Sequence, residues 1–427
     1  GEVTVMVEGL PKELTKGIQG SGFDFPGGVF RAQRRILVPA AIVRLFGEPF
    51  TQAQGQVRCA GRAKTHGAGH ARVQGDAMVR DAGGQVEDVT RFEVPSFFSL
   101  ELGEHVDGHV LALAGRELFG DFPAPPTRSL AVVTTGEPVF RETPLQGAIL
   151  TRTAASHIRV GTFQDAASRD KQNEIQALVD YTIRRHFHDL AEDGDPYLAL
   201  LGAVMERQAS LVAHWLMVGF IHGVMNTDNI TLSGETIDYG PCAFMDAYDP
   251  NTVFSSIDRT GRYAYGRQPK IAQWNLARFA ETLLPLIHDD PQEAVSMTTD
   301  LLSGFADTFR QYWLAGMRSK LGLFNHEEDD SALMQDLLDC MHRQGADYTN
   351  TFRNLASGPF PEASVFQTPE FNQWHDRWQA RLKRQPDSWE ASVRLMNAHN
   401  PAVIPRNHQV EAALAAAVER SDYTVME

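Results

Sequence analysis

Hydrophobic and polar residues follow two different patterns along the chain, and the change falls near residue 160. Before it, the apolar runs are short and rich in β-branched residues, as in residues 131–135 (AVVTT) and 149–151 (ILT), with glycine-rich stretches between them. Short β-branched runs bounded by glycine are typical of strands joined by turns. The N-terminal part is therefore predicted to be rich in strands.

From about Asp165 onward, apolar residues recur with the 3.6-residue period of an amphipathic helix. One predicted helical face consists of Ile175, Leu178, Val179, Ile183, Phe187 and Leu190. A longer helix is expected after Asp195, which offers an N-cap carboxylate, and Pro196, which the first turn tolerates; it should end near Gly219. Further helical patterns cover residues 271–284, 297–321, 331–343 and 410–418.

The predicted fold class is α+β, with a strand-rich N-terminal lobe over residues 1–160 and a helical C-terminal lobe over residues 161–427. A length of 427 residues favours two lobes over a single core. Hydrophobic residues make up 43% of the chain and charged residues 22%, which excludes a disordered or collagen-like protein.

Net charge and cysteine content narrow the possible partners. A formal charge of −15 argues against nucleic acid or an anionic membrane as a partner. The three cysteines form no C-x-x-C pair, which disfavours a zinc knuckle or a disulfide-stapled secreted fold. With no secretory leader pattern and no spanning segment, we expect a cytoplasmic monomer in a bacterium, or a mitochondrial protein in a eukaryote.

The densest group of reactive side chains lies between His222 and Gly240. Asp228 and Asn229 are adjacent in one loop, and a second carboxylate, Asp238, follows a short predicted hairpin. A carboxamide oxygen together with carboxylates forms a hard-oxygen set suited to Mg²⁺, or to Mn²⁺, with nucleotide phosphates completing the coordination. The segment therefore predicts a metal and nucleotide site.

The spacing within this segment is similar to that of protein kinases, whose catalytic loop reads H-R-D-x-x-x-x-N before a metal-binding D-F-G. His222 and Asn229 keep the first spacing, and Asp238 begins D-Y-G. Val224 stands where the kinase catalytic aspartate belongs, and an aliphatic side chain cannot accept a proton. Either the site is inactive or the base has moved, with Asp228 as the nearest candidate.

Residues 222–250, HGVMNTDNITLSGETIDYGPCAFMDAYDP, closely resemble the selenoprotein O family of kinase-fold proteins. Supporting strings are TRSLAVVTTGEPVFRET (127–143), SHIRVGTFQ (156–164), GRYAYGRQPKIAQWNLARFAETLLPL (261–286) and NPAVIPRNHQVEAAL (400–414). The resemblance implies a kinase-like, two-lobed fold that transfers AMP, rather than phosphate, from ATP to Ser, Thr or Tyr hydroxyls of proteins, with the nucleotide in a flipped orientation.

The resemblance also implies roles for individual residues. Asp228 would accept the proton of the incoming hydroxyl, and Asn229 and Asp238 would bind Mg²⁺. Arg152 and Arg159 would hold the terminal phosphate of ATP, for which the planar donor fork of arginine is suited. From the residues alone, ion pairs with acidic groups are the alternative role of these two arginines.

Before Thr127 the chain departs from the family pattern. The nucleotide-binding lysine expected there is missing, and Arg91 is the basic residue nearest to its place. Gly67 and Gly69 remain candidates for phosphate contact, because backbone N–H groups of a glycine-rich turn can approach phosphates, although an ordinary turn is the alternative. Lys64 could also reach phosphate.

Other conspicuous residues receive structural predictions. We expect core or lobe-interface positions for the tryptophans Trp215, Trp274, Trp313, Trp374 and Trp378. The acidic run at residues 327–330 is expected to be a solvated loop, and Cys242 a small buried residue or an unreactive thiol.

Three hypotheses about function follow. The first is an Mg²⁺-dependent protein adenylyltransferase, the second a kinase-like phosphotransferase, and the third a catalytically silent ATP-binding scaffold, in effect a pseudokinase. The missing catalytic aspartate weighs against the second hypothesis, and the divergent N-terminal motifs favour the third.

Overall fold

A computed structural model describes the chain over residues 4–8, 29–36, 56–66, 70–80, 127–140, 144–169, 172–192, 194–357, 360, 364–420, 422 and 424. The chain divides into two compact units at the boundary between His157 and Ile158.

The described part of the first unit forms one six-stranded antiparallel sheet. Its strands are β1 (Thr4–Glu8), β2 (Val29–Ile36), β3 (Gln56–His66), β4 (His70–Arg80), β5 (Arg128–Phe140) and β6 (Pro144–Ala154). Their order in the sheet is β2-β3-β4-β1-β6-β5, which places the short N-terminal strand β1 between β4 and β6. The β-branched runs of the sequence lie in β5 and β6, as predicted.

The described part of the second unit is dominated by helices and contains one two-stranded ribbon, β7 (Phe220–Ile221) with β8 (Ala243–Phe244). The helices are α1 (Val160–Ala167), α2 (Gln172–His186), α3 (Pro196–Met217), α4 (Gln268–Ile287), α5 (Pro291–Ser303), α6 (Phe305–Lys320), α7 (Asp330–Gln344), α8 (Tyr348–Leu355), α9 (Pro369–Leu382), α10 (Trp389–His399) and α11 (Asn407–Arg420). The α+β class predicted from the sequence is confirmed.

Helix α3 is the central helix of the second unit, and it packs against α4 and α6. Its start follows the sequence prediction, because the Asp195 carboxylate accepts a hydrogen bond from the backbone N–H of Leu198 and Pro196 occupies the first turn. Its apolar residues are buried over most of its length, which anchors the loop that begins just after it.

Two predicted helices differ from the observed ones. The helix predicted to continue to Leu190 ends at His186, as α2. Leu190 lies in a separate 3₁₀ segment, His188–Glu192. The pattern over residues 297–321 is divided between α5 and α6 at Gly304. Glycine is a weak helix former, and the apolar period alone does not register such a break.

The tryptophan prediction holds for three residues whose indoles are buried and whose N–H groups are satisfied. Trp215 donates to the Thr236 hydroxyl, Trp374 to the Leu333 carbonyl, and Trp378 to the Leu321 carbonyl. For Trp274 a core position is wrong, because its side chain is exposed on α4.

The prediction for the acidic run at 327–330 is wrong at Asp330. This residue begins α7, is 1% exposed, and accepts hydrogen bonds from Nε and Nη2 of the buried Arg381 on α9. Glu327 flanks the pair, 3.1 Å from another guanidinium nitrogen. A buried ion pair therefore joins two helices at a point that looked like surface.

Among the described residues, no helix is both long enough and apolar enough to cross a membrane.

Candidate active site

The loop that carries Asp228 and Asn229 begins directly after β7 and is held by the buried face of helix α4. The Gln268 side chain accepts a hydrogen bond from the backbone N–H of His222 and donates one to the Phe220 carbonyl. It thereby satisfies backbone groups at and just after strand β7. Further along α4, the Asn275 amide donates to the Met225 carbonyl. Both side chains are fully buried, which makes α4 a rigid support for the loop.

His222 has a structural role in this loop. Its Nε2 lies 3.0 Å from the Ile237 carbonyl oxygen, and its ring packs against Trp215 and Phe220. Burial lowers the pKa of the imidazole, so the ring is neutral at physiological pH and donates through Nε2. The histidine thereby fixes the backbone immediately before Asp238.

Gly223 is required where it stands. Its φ is +81°, and a Cβ atom there would lie 1.8 Å from the Pro241 carbonyl oxygen and 2.6 Å from the Phe254 carbonyl oxygen. No side chain fits between two backbone oxygens at such distances. The loop and the segment after D-Y-G are therefore in direct backbone contact.

Asp228 lies in a short 3₁₀ turn, Thr227–Asn229, and its position is set from two sides. The buried Arg159 donates a hydrogen bond from Nη1 to the Asp228 backbone carbonyl, 2.9 Å away. The Asp228 carboxylate lies against Gly161 of α1, where a Cβ atom would lie 2.3 Å from Oδ1. Within the described residues, this half-buried carboxylate accepts no hydrogen bond.

Asn229 is buried, and its side chain has a defined orientation. Its Nδ2 donates to the Val224 carbonyl at 2.9 Å, and its backbone N–H donates to the Asn226 carbonyl. The amide oxygen Oδ1 forms no hydrogen bond among the described residues. An oriented amide oxygen with no protein partner is what a cation ligand requires.

Asp238 has a left-handed backbone, with φ of +63°, and it is the one non-glycine residue with positive φ in the described parts of the chain. Such a conformation is strained for most residues, although aspartate and asparagine tolerate it best. The His222 bond to Ile237 and the bridge between Ile230 and Thr236 hold the chain on the N-terminal side of Asp238. Strain of this kind is frequent at functional sites.

The hairpin between Asn229 and Asp238 is tied to α3 at two points. The Gln208 side chain donates to the Thr231 carbonyl at 2.6 Å, and the Trp215 indole donates to the Thr236 hydroxyl at 2.9 Å. On the other side, the backbone N–H of Val160 donates to the Ile230 carbonyl. The loop, the hairpin and the start of α1 therefore form one hydrogen-bonded assembly.

Asn229 and Asp238 each offer an oxygen atom of the kind that Mg²⁺ binds. Among the described residues, no group of three or more His, Cys, Asp or Glu side chains could hold a metal ion by itself. Mg²⁺ usually takes one or two protein oxygens and fills its octahedron with water and substrate phosphates. A carboxylate and an amide oxygen therefore fit Mg²⁺ better than a metal that requires a full protein cage.

The remaining predicted site residues belong to the first unit. Arg152 lies in β6, opposite Met6 of β1 and Ser129 of β5, and its side chain is buried. Gly67 and Gly69 lie outside the described residues, between strands β3 and β4. For Lys64, only the position in β3 is described.

Cys242 is a half-buried free thiol. Its Sγ lies 3.7 Å from the Tyr239 carbonyl oxygen, and burial raises the pKa of the thiol to about 11. It is therefore protonated at neutral pH and weakly nucleophilic, in keeping with the predicted unreactive thiol.

Gly161, Gln268 and Asn275 contribute to the site but were missed by sequence reasoning. Gly161 follows Arg159 by two residues, and the two amides lie within an otherwise ordinary helical pattern. A buried Gln or Asn at an inward-facing position of an amphipathic helix was the available signal for the amides, since such a side chain must find hydrogen-bond partners.

Comparison with known proteins identifies strong similarity over most of the chain. Residues 113–427 match the model of the family described as protein adenylyltransferase SelO. A protein nucleotidyltransferase YdiU from Syntrophotalea carbinolica is 62% identical over 301 residues, which cover 70% of this chain and 61% of the relative. A YdiU protein from Halalkalibacterium halodurans is 62% identical over 71% of this chain and 62% of its own length. One from Alkaliphilus metalliredigens is 61% identical over 70% of this chain and 61% of its own length. The chain thus spans about three fifths of the length of these curated relatives.

Proposed function

The chain belongs to the protein adenylyltransferase SelO family, and from that membership we propose that it transfers AMP from ATP to hydroxyl groups of Ser, Thr or Tyr side chains in other proteins. The observation that carries the proposal is the Asp228 carboxylate, which is positioned by Arg159 and Gly161 and has no hydrogen-bond donor among the described residues.

In the proposed reaction, the oxygen of the acceptor hydroxyl attacks the α-phosphorus of ATP, and Asp228 accepts the proton of that hydroxyl. A new oxygen–phosphorus bond forms, the bond between the α-phosphorus and the bridging α,β-oxygen breaks, and pyrophosphate leaves with the electron pair. Asn229 and Asp238 supply oxygen ligands for Mg²⁺, or for Mn²⁺, which when bound neutralises phosphate charge.

Arg152, Arg159, Gly67 and Gly69 are assigned to phosphate binding in this proposal. One N–H of Arg159 is committed to the Asp228 carbonyl, and a guanidinium group has five N–H donors in total. In this proposal, Arg159 both positions the base and binds phosphate. Arg152 is buried, and a buried guanidinium binds phosphate oxygens strongly because it is poorly solvated.

The finer architecture is part of the same proposal. We propose a protein-kinase-like, two-lobed fold in which residues 1–160 bind the nucleotide and residues 161–427 carry the catalytic and metal-binding loops. The order of His222, Asn229 and Asp238 along the chain supports it. A monomeric state, the absence of nucleic acid partners and a cytoplasmic location stay predictions from the sequence.

Labelled ATP distinguishes the three hypotheses. We expect label from the α position of ATP to appear on an acceptor protein, and label from the γ position to stay off it. Transfer from the γ position contradicts the proposal in favour of a phosphotransferase. No transfer from either position, together with a thermal shift caused by ATP and Mg²⁺, supports the silent scaffold instead.

Two variants test the assigned roles. Asp228→Asn should abolish transfer while keeping the ATP-dependent rise in melting temperature, because it removes the base and leaves the ligands. Asp238→Asn keeps a residue type that tolerates the left-handed backbone, and it should lose both transfer and the metal-dependent part of the thermal shift. Asp300→Asn, at an exposed position on α5, is the matched control.

A further inference from the structure

An unusually basic segment follows the D-Y-G loop in a chain of strongly negative charge. Five cations and no carboxylate occur from residue 259 to residue 280, whereas the whole chain carries −15. The segment comprises the loop before α4 and the first part of α4 itself. Carboxylates resume on either side of it, at Asp258 and Glu281.

Four of these cations are exposed and have no ion-pair partner among the described residues: Arg259, Arg262, Arg267 and Lys270. The nearby Asp258 carboxylate instead accepts backbone N–H groups of Arg262 and Tyr263. Arg267 braces the loop by donating from Nη1 to the Thr260 carbonyl.

Trp274 lies between the cations and is the large exposed aromatic side chain of this surface. Lys270 and Arg278 stand one turn before and one turn after it on α4, so the three share a helical face. The guanidinium carbons of Arg262 and Arg278 lie 4.7 and 5.3 Å from the centroid of the indole ring. These cation–π contacts hold the guanidinium groups in place at the surface.

Helix stability does not account for this arrangement. Arg267 and Lys270 lie at the N-terminus of α4, where the helix dipole disfavours positive charge, and the first turn contains no acidic residue to offset them. Cations at such positions lower helix stability slightly, so stabilisation of α4 does not explain them.

We propose that this basic surface, formed by Arg259, Arg262, Arg267, Lys270 and Trp274, docks an acidic polypeptide segment of the acceptor protein. The inference rests on the proposed function, because the opposite face of the same helix holds the Asp228 loop through Gln268 and Asn275. A segment docked on α4 is thereby tied to the element that positions the catalytic loop. The charge of the remaining chain repels long polyanions, which favours a short acidic peptide over nucleic acid or an anionic membrane.

Binding of a fluorescein-labelled octaglutamate peptide, followed by fluorescence anisotropy in the full chain, tests the proposal. Wild type should bind the peptide, and affinity should fall as salt rises. The double variant Arg262→Glu/Lys270→Glu should weaken binding about tenfold or more, since two exposed attractions become repulsions. Trp274→Ala should weaken it by a smaller factor, because it releases the two guanidinium groups.

The matched control is Arg310→Glu/Lys383→Glu, which changes net charge equally at exposed positions on α6 and just after α9. Unchanged binding in this control supports the proposal, and equal weakening in both double variants overturns it. Absence of peptide binding to wild type overturns it as well. Tighter binding of a 20-nucleotide single strand or of phosphatidylserine vesicles than of the peptide overturns it in favour of those partners.

Failure of this inference and failure of the proposed function are separable. Peptide binding should persist in Asp238→Asn, which is expected to lose AMP transfer. Intact AMP transfer without peptide binding overturns the docking surface alone, and peptide binding without AMP transfer by wild type overturns the proposed function alone. Thermal unfolding of each variant establishes that it is folded.

Discussion

Gly161 shows how one missing side chain can define a catalytic position. A Cβ atom there would lie 2.3 Å from Asp228 Oδ1, a separation that real contacts do not reach. The neighbouring Arg159 fixes the backbone of Asp228, so the carboxylate is the part that must move if position 161 gains a methyl group. A methyl group at this position should therefore affect activity far more than stability.

Gly161→Ala should reduce AMP transfer about a hundredfold, because displacement of a base by about 1 Å is that costly. The free energy of unfolding should stay within about 1 kcal/mol of wild type, since alanine is the better helix former and the carboxylate can rotate away. Initial rates with α-labelled ATP and urea denaturation measure the two effects.

Gly202→Ala, within α3, is the matched control. Its added Cβ atom would lie 3.7 Å from the nearest atom of Leu301, an ordinary contact. It should raise the free energy of unfolding and leave transfer unchanged. Equal activity of Gly161→Ala and Gly202→Ala contradicts the role assigned to Gly161.

The elements of the second unit were predictable where local signals agree and unpredictable where distant partners decide. The start of α3 followed from Asp195 and Pro196, whose capping chemistry is local. The break at Gly304 did not follow, because the apolar period continues through it. The acidic run before α7 looked solvated because its partner Arg381 is 51 residues away.

The same distinction holds for the candidate site. The residue types at Asp228, Asn229 and Asp238 and their order along the chain were readable from the sequence. The supports from α4, Gln268 and Asn275, were not, because each acts on a backbone group roughly fifty positions away. No local pattern reports a hydrogen bond of that range.

Two ion pairs between α7 and α9 allow the effect of burial to be measured. Asp330 and Arg381 are almost fully buried, whereas Asp336 and Arg377 join the same two helices at the surface. Asp330→Ala should lower the free energy of unfolding by about 3–5 kcal/mol, because it removes the buried carboxylate partner of a buried guanidinium. Asp336→Ala should lower it by at most about 1 kcal/mol. Chemical denaturation of both variants measures the difference, and similar values would falsify the assignment.

Lys320 connects parts of the molecule that are far apart in sequence. The side chain is buried at the end of α6, and its ammonium donates to the Asn400 side chain 80 residues away. Nζ also faces the rings of Phe352 and Tyr348, and Arg353 donates to the Asn400 carbonyl from the same region. Burial lowers the pKa of Lys320 to about 7.

This lowered pKa predicts a pH dependence of global stability. Between pH 7 and 10.5 the unfolded chain holds the Lys320 proton more tightly than the folded one, so this group makes stability rise with pH across that window. Wild type should therefore gain stability relative to Lys320→Met as pH rises from 7 to 9, by at most about 1.4 kcal/mol per pH unit. Urea denaturation at each pH measures the difference, and the exposed Lys383→Met serves as control. A constant difference contradicts the prediction.

Arg406 forms a second long-range connection. Its guanidinium pairs with Asp246, which follows the D-Y-G loop, and with Asp347 at the start of α8. Arg406→Gln should accelerate amide hydrogen exchange over residues 243–248 and leave exchange in α3 unchanged. Arg420→Gln, at an exposed position on α11, should alter neither segment. Unchanged exchange in Arg406→Gln would show that the ion pairs of Arg406 do not hold residues 243–248 in place.

The close approach at Gly223 has a consequence for protein engineering. Restoring a conventional kinase signature would require arginine at position 223 and aspartate at 224, and the first of these introduces a Cβ atom between two main-chain oxygens, those of Pro241 and Phe254. Steric clash at position 223 therefore prevents conversion to a phosphate-transferring enzyme by introduction of the H-R-D sequence alone. Such a redesign must first reroute the chain that passes over the glycine.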